Sequence, residues 1–132
     1  MKKTYTLIAA TFLLTSLSAQ DYNITPNDTI EQMVIVGSYS DATIYMDHDN
    51  STTDSLRLQW EIIENTTPTG WDYSICDYTN CYAGNITTGT MSKFGVNQSG
   101  FIKLNLLAST AENAQIRFKI YTAGNASNAD TI

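Results

Sequence analysis

His48 is the only histidine of the chain, and it stands between two carboxylates in Asp47-His48-Asp49. A histidine so flanked has the parts of a base or a metal ligand, because imidazole titrates near neutrality and the acids can orient it. Nothing nearby completes the chemistry. There is no Gly-x-Ser-x-Gly nucleophile turn and no glycine-rich phosphate loop, and one histidine does not fill a zinc site. His48 is therefore expected to be a solvated turn residue. Glu61 and Glu64 come nearest to the carboxyl pair that glycoside hydrolysis holds about 5–10 Å apart. On an extended strand and its end, residues at that spacing are expected on opposite faces. Asp47, Asp49 and Asp54 offer the oxygens that hard cations take, but the EF-hand pattern with its Gly and terminal Glu is absent. The sequence assigns no catalytic residue, no metal and no cofactor.

The chain has two cysteines, Cys76 and Cys81. They lie too close in sequence to bridge two sheets across a core. A Cys-x-x-Cys redox spacing is absent, and a metal would need further ligands. The pair is expected to form a disulfide closing the ring Cys-Asp-Tyr-Thr-Asn-Cys, which fixes a loop and contributes about 2 kcal/mol. Around it lie Trp71, Tyr73, Tyr78 and Tyr82. Such rings offer flat faces with a hydrogen-bond handle, suited to a sugar or a peptide. They serve equally as packing, with Trp71 and Tyr73 plugging one end of the fold and the tyrosines covering the ring. Polar Asp77, Thr79 and Asn80 place the ring's tip in solvent, with Tyr78 at least partly exposed.

The elements that must position these residues read as strands. Leu56, Leu58, Trp60 and Ile62 alternate with Arg57, Gln59 and Glu61; Ile102, Leu104 and Leu106 with Lys103 and Asn105; Ile116, Phe118 and Ile120 with Gln115, Arg117 and Lys119. A period of two sends successive side chains to opposite faces. Weaker strands are expected near Gln32–Gly37, Ala42–Met46, Asp72–Cys76 and Thr90–Phe94. Turn chemistry at 47–51, 68–70, 97–100 and 111–113 separates the strands. About seven short strands at this spacing predict an all-β, antiparallel, immunoglobulin-like sandwich, with a small barrel as the alternative. Trp60 is expected in its core and Leu104 and Phe118 at the core's centre. A helix at 106–113 would be too short to count.

The chain opens with Lys2 and Lys3, an apolar run from Leu7 to Leu14, and small residues ending at Ala19. This is the layout of a signal peptide over residues 1–19, cleaved before Gln20, and the run is too short to span a bilayer. Residues 20–132 then form one domain of about 110 residues, secreted through the periplasm to the cell surface or beyond. Without the leader, five Lys and Arg face 13 Asp and Glu, a net charge of −8. That excludes a phosphate-backbone footprint, so no nucleic acid is expected as partner, and no later segment predicts a membrane span. Asp130-Thr131-Ile132 resembles a strand start, which suggests a domain truncated at its C-terminal end.

The stretch Pro68-x-Gly70-Trp71-x-x-x-x-Cys76-Asp77-x-x-x-Cys81-Tyr82, with Leu58-x-Trp60 upstream and Gly89-x-Met91 downstream, resembles a pattern in immunoglobulin-like domains of secreted Bacteroidota proteins. Those domains often precede a sorting domain of the type IX secretion system. The resemblance implies export to the cell surface and no established activity; this sequence shows no sorting domain. Thr29 in Asp28-Thr29-Ile30 and Ser55 in Asp54-Ser55-Leu56 resemble the sites that these bacteria O-glycosylate. The functional expectation is a non-catalytic structural or spacer module of a larger exported protein, whose partners are its neighbouring domains. The alternative is a module binding extracellular glycan or peptide through Trp71, Tyr73, Tyr78 and Tyr82.

Overall fold

Alternation of apolar and polar residues, broken by glycine- and asparagine-rich turns, folds this chain without any helix among the described residues, which are 21–26, 28–49 and 53–132 of a computed structural model. The leader expected at 1–19 lies outside them. The strands are β1 (Asn23–Thr25), β2 (Tyr39–His48), β3 (Ser55–Leu56), β4 (Leu58–Asn65), β5 (Asp72–Asp77), β6 (Asn80–Ala83), β7 (Thr88–Thr90), β8 (Phe94–Gly95), β9 (Gln98–Leu107), β10 (Ile116–Thr122) and β11 (Ala129–Thr131). One sheet runs β1-β2-β9-β5-β6, a second runs β11-β10-β4-β7, and β3 and β8 form a two-stranded ribbon. All pairings are antiparallel. Among the described residues, six strands have four residues or more. The excess over the expected seven comes from pieces of two or three residues, too short for alternation to reveal.

The inner faces follow the predicted registers. Trp60, Leu58, Met46, Ile75, Met91, Phe94 and Ile120 are fully buried, and Phe118 and Ile102 nearly so. Trp60 stands edge-on to Phe118 at 5.9 Å and to Tyr82 at 5.6 Å. Gly89 of β7 sits opposite Trp60, and a Cβ there would lie 2.4 Å from the indole. The ring thus occupies the space that any larger residue would claim. The turn into β5 has equally plain chemistry. Trp71 N–H donates to Pro68 C=O at 3.1 Å, and Gly70, third of the four turn residues, adopts φ +91°, the conformation a type II turn asks of that position.

Three expectations are corrected. Gln32–Gly37 is not a strand: Val34 packs beside Trp71, Leu106 and Ala108, while Met33 and Ile35 face outward without a ladder partner. β9 runs on to Leu107. Leu104 is only half-buried, and the centre on β9 belongs to Ile102. Glu61 and Glu64 share a face instead of opposing each other, because the register shifts opposite Arg117/Phe118 and leaves Ile63 as an extra residue. Such a bulge shifts the downstream residues by one position. Glu61 pairs with Lys119 (3.2 Å) and Glu64 with Arg117 (3.3 Å). The strand start expected at 130–132 is β11, paired with Lys119–Tyr121.

Candidate functional site

The aromatic segment folds into the β5–β6 hairpin, whose register sets Cys76 directly opposite Cys81 and Asp77 opposite Asn80. The two cysteines are joined in a disulfide with Cα atoms 4.0 Å apart. Tyr78 and Thr79 make the two-residue turn, and Thr79 takes φ 83°. Alternation sends Tyr73, Ile75 and Asp77 inward and leaves Ser74 and Cys76 on the outer face.

Asp77 is therefore buried, 1 % exposed, against the expectation of a solvated ring tip. A carboxylate taken from water needs donors to replace it. Asp77 accepts from Trp60 Nε1 at 2.7 Å and Tyr82 Oη at 3.2 Å on one oxygen, and from Asn80 Nδ2 at 3.1 Å on the other. Because Trp60 belongs to the second sheet, its bond ties the two sheets through the core. Burial, then the charge of Asp77 beside it, pushes the Tyr82 hydroxyl above its ordinary pKa.

The other rings also turn inward. Tyr78 is half-buried and meets Phe94 and Phe101 edge-on at 5.6 and 6.3 Å. The exposed residue of the turn is Thr79, whose hydroxyl pairs with that of Ser92 at 2.6 Å. Trp71 is 8 % exposed and donates from Nε1 to Thr110 Oγ1 at 2.8 Å. Tyr73 packs on the core, and its hydroxyl accepts from Asn65 Nδ2 at 3.0 Å. The four rings do not assemble a flat exposed platform. What stays open beside them is a shallow hollow of about 290 Å³, bordered by Trp71, Tyr73, Asn85, Asn105 and the exposed Tyr39.

His48 is not a solvated turn residue but a buried one at the end of β2. It continues the inward positions of Ile44 and Met46. Its Nδ1 lies 3.1 Å from the carbonyl of Asp21 and its Nε2 3.2 Å from that of Thr53, while its ring meets Phe94 edge-on at 6.3 Å. It stitches the segments before β1 and before β3 onto the core. Asp47 accepts from Thr25 Oγ1 at 2.7 Å and Ser99 Oγ at 2.5 Å, and Asp49 from Asn23 Nδ2. These acids fasten β1 and β9 to β2. Among the described residues no three His, Cys, Asp or Glu side chains gather as metal ligands do. Thr29 and Ser55 both lie exposed, Thr29 in the segment ahead of β2 and Ser55 in β3.

Sequence reasoning overlooked Asp77 and Gly89 as structural residues. For Asp77 the signal was present in the inward period Tyr73, Ile75, Asp77; its charge argued the other way. Gly89 stood in the resembling pattern, but its reason appears only with the position of the Trp60 ring.

No family model matches this chain, and no curated protein matches it. Among solved structures, the N-terminal domain of PorA superposes with a TM-score of 0.56 over 78 % of this chain and 85 % of that chain, at 11 % identity. An ASH/PapD-like domain of human CEP192 covers 96 % of this chain and 92 % of its own, with a TM-score of 0.47 and 8 % identity. At 11 % identity the likeness to the PorA domain speaks for fold alone. The chain is an immunoglobulin-like antiparallel β-sandwich.

Proposed function

We propose that this chain is a non-catalytic structural or spacer module of a secreted or surface-displayed protein, in contact with the neighbouring domains of that protein. The observation that supports this reading best is the inward direction of its most distinctive residues. Trp60, Trp71, Asp77, Gly89 and Met91 are taken up by packing and by one inter-sheet bond, which leaves little of the motif to face a ligand. The disulfide and the leader-like residues 1–19 support a destination outside the cytoplasm. Export by the type IX route in a Bacteroidota host, and O-glycosylation of the exposed Thr29 and Ser55, belong to the same proposal and rest on the sequence resemblance.

Two measurements test it. The exported protein should begin at Gln20 and, by mass, carry sugar on Thr29 or Ser55; retention of residues 1–19 in exported material argues against this route. Tyr78→Ala should lower stability by about 2 kcal/mol, because a half-buried ring loses part of the 3–5 kcal/mol a fully buried one costs. A variant of unchanged stability that loses affinity for a glycan or peptide would replace the spacer reading with a binding one. That second reading has one feature in its favour, the 290 Å³ hollow with Tyr39 exposed at its rim. Binding on a glycan array that Tyr39→Ala removes would establish it.

A further inference from the structure

The five-stranded sheet turns its second face to solvent, and two aromatic rings stand exposed on it. Pleating sends every other residue of β2 outward, opposite to the buried Met46 and His48. Tyr39 and Tyr45 therefore share that face, 78 and 44 % exposed. They lie six residues apart on β2, which is about 20 Å along a strand. Neither ring has a place in the core. Tyr45 ends a row of rings. Across the sheet it pairs with Phe101, which it meets edge-on at 6.4 Å, and Phe101 meets Tyr78 at 6.3 Å. Tyr39 borders the 290 Å³ hollow, so the hollow and the aromatic row are the two ends of one surface.

Between the two ends the surface is polar. Asn105 Nδ2 donates to Ser74 Oγ at 3.3 Å, in a cross-strand row that Asp41 completes. Charge narrows what such a surface takes. Lys103 is the only lysine or arginine in β2, β5 and β9, and Asp41 holds it at 3.3 Å. An anionic ligand therefore meets no free cation on these strands. A neutral polyol can donate its hydroxyls to the carboxylates and stack on the rings. The face of an aromatic ring carries the negative part of its quadrupole, which suits the C–H face of a sugar whose substituents are equatorial. A peptide strand adds at a sheet edge, and this surface is the middle of a sheet face.

We propose that the outer face of β2, β9 and β5 binds a neutral, extended polysaccharide of equatorially linked sugars, a β-1,4-glucan or β-1,4-mannan, with one sugar against Tyr39 at the hollow and another stacked on Tyr45. The polysaccharide runs along β2. Equatorial linkages keep it a flat ribbon that lies along a sheet, whereas an α-1,4 chain curls away. Asp41 and Asn105 meet the hydroxyls of the sugars between the two rings. Phe101 is a positioning residue, holding Tyr45 from behind. The proposal rests on the binding reading of the hollow and leaves the spacer role of the domain intact.

The probes are cellohexaose and mannohexaose, titrated calorimetrically into the full chain beside cellobiose, maltohexaose and a β-1,4-linked hexamer of glucuronate. One of the two neutral β-1,4 hexamers should bind with a Kd below about 1 mM. It should bind at least about tenfold more tightly than cellobiose, which cannot reach both rings, and than the curled or anionic hexamers. Tyr39→Ala and Tyr45→Ala should each weaken that binding at least about tenfold. The Tm of Tyr39→Ala should match the parent's, since its ring is exposed. Tyr45→Ala also loses a contact with Phe101, so Tyr45→Phe, which keeps the ring, is its partner variant and should bind as the parent does. No binding of either neutral β-1,4 hexamer at about 1 mM, or equal binding of maltohexaose or the glucuronate hexamer, would overturn the proposal. Binding lost in Tyr39→Ala but kept in Tyr45→Ala, or cellobiose bound as tightly as the hexamer, would overturn the extended platform while leaving the hollow as a site for a small sugar. Absence of any Tyr39-dependent glycan would end both readings.

Discussion

Replacing Gly89 by alanine should be the most damaging single-methyl change in this protein. The added Cβ would stand 2.4, 2.5 and 2.7 Å from Cζ2, Cε2 and Nε1 of Trp60, all far inside van der Waals contact. The ring has nowhere to retreat. It is fully buried, flanked edge-on by Tyr82 and Phe118, and pinned by its bond to Asp77 at 2.7 Å. Overpacking of this kind costs about 1–3 kcal/mol. A ring pushed off Asp77 also loses a charge-assisted hydrogen bond worth about 1.5–3 kcal/mol. Against this stands about 0.4–1 kcal/mol gained by restricting the unfolded chain. The net expectation is a loss of about 3 kcal/mol, or a fall of about 10–15 °C in Tm for a domain of this size. Gly95→Ala is the control. Its nearest contact would be Gln98 Oε1 at 3.4 Å, with no positive φ to strain, so its Tm should stay within about 2 °C of the parent. Urea melts followed by tryptophan fluorescence report both quantities. Trp60→Phe, which removes the clashing atoms, should soften the effect of Gly89→Ala in a double-mutant cycle. A Gly89→Ala protein as stable as Gly95→Ala would refute the placement of Trp60 against β7.

Asp77→Ala leaves the Trp60 indole, the Tyr82 hydroxyl and the Asn80 amide without their acceptor, so urea unfolding should show a loss of about 3 kcal/mol; a loss below about 1 kcal/mol would remove its role as inter-sheet tie. Aspartate introduced along β9 should be costliest at Ile102, intermediate at the half-buried Leu104, and smallest at Lys103, which gives up only an exposed pair with Asp41 at 3.3 Å; melting temperatures in any other order contradict the register. Burial, followed by the charges of Asp130 and Asp21, raises the Tyr22 hydroxyl above its ordinary value, and Tyr82 moves the same way. A raised acid pKa means that the stabilisation is complete below the unfolded value of about 10 and is lost above it, where the unfolded chain releases its protons first. Denaturant midpoints should therefore hold to about pH 10 and then fall, less steeply in Tyr22→Phe; equal slopes would contradict the burial of that hydroxyl.

The readable parts of this fold are those where alternation runs long enough to be counted. β4, β9 and β10 each present several inward apolar residues in succession, and their faces were legible from Leu58, Ile102 and Phe118 onward. The same rule was available for His48 and Asp77, which take the next inward positions after Met46 and Ile75. Their polarity argued for solvent, and only the partners supplied by distant segments, Asp21 and Thr53 for one and Trp60 for the other, offset the cost of burying them. Gln32–Gly37 failed for the converse reason. Met33-Val34-Ile35-Val36 has strong strand propensity, but a strand also needs a neighbour, and propensity reports the side chains rather than the edge they would meet. The bulge at Ile63 is likewise invisible in sequence, since both Ile62 and Ile63 suit either face.

The spacing Trp71–Cys76–Asp77–Cys81–Tyr82 looks like a binding motif because it concentrates aromatics, acids and a disulfide in a dozen residues. Its geometry argues for a different origin. A two-residue hairpin places Cys76 and Cys81 opposite each other on the outer face, and the same pleat then obliges Asp77 and Tyr82 to share the inner face. Once Asp77 points inward, a donor must come from the opposite sheet, and Trp60 supplies it. Once Trp60 turns its indole to Asp77, the residue opposite on β7 must lack a side chain, and that residue is Gly89. Each choice forces the next through contact, so residues from Trp60 to Gly89 are fixed as one set by packing alone, with no ligand required. Spacing that packing alone accounts for carries no information about a partner.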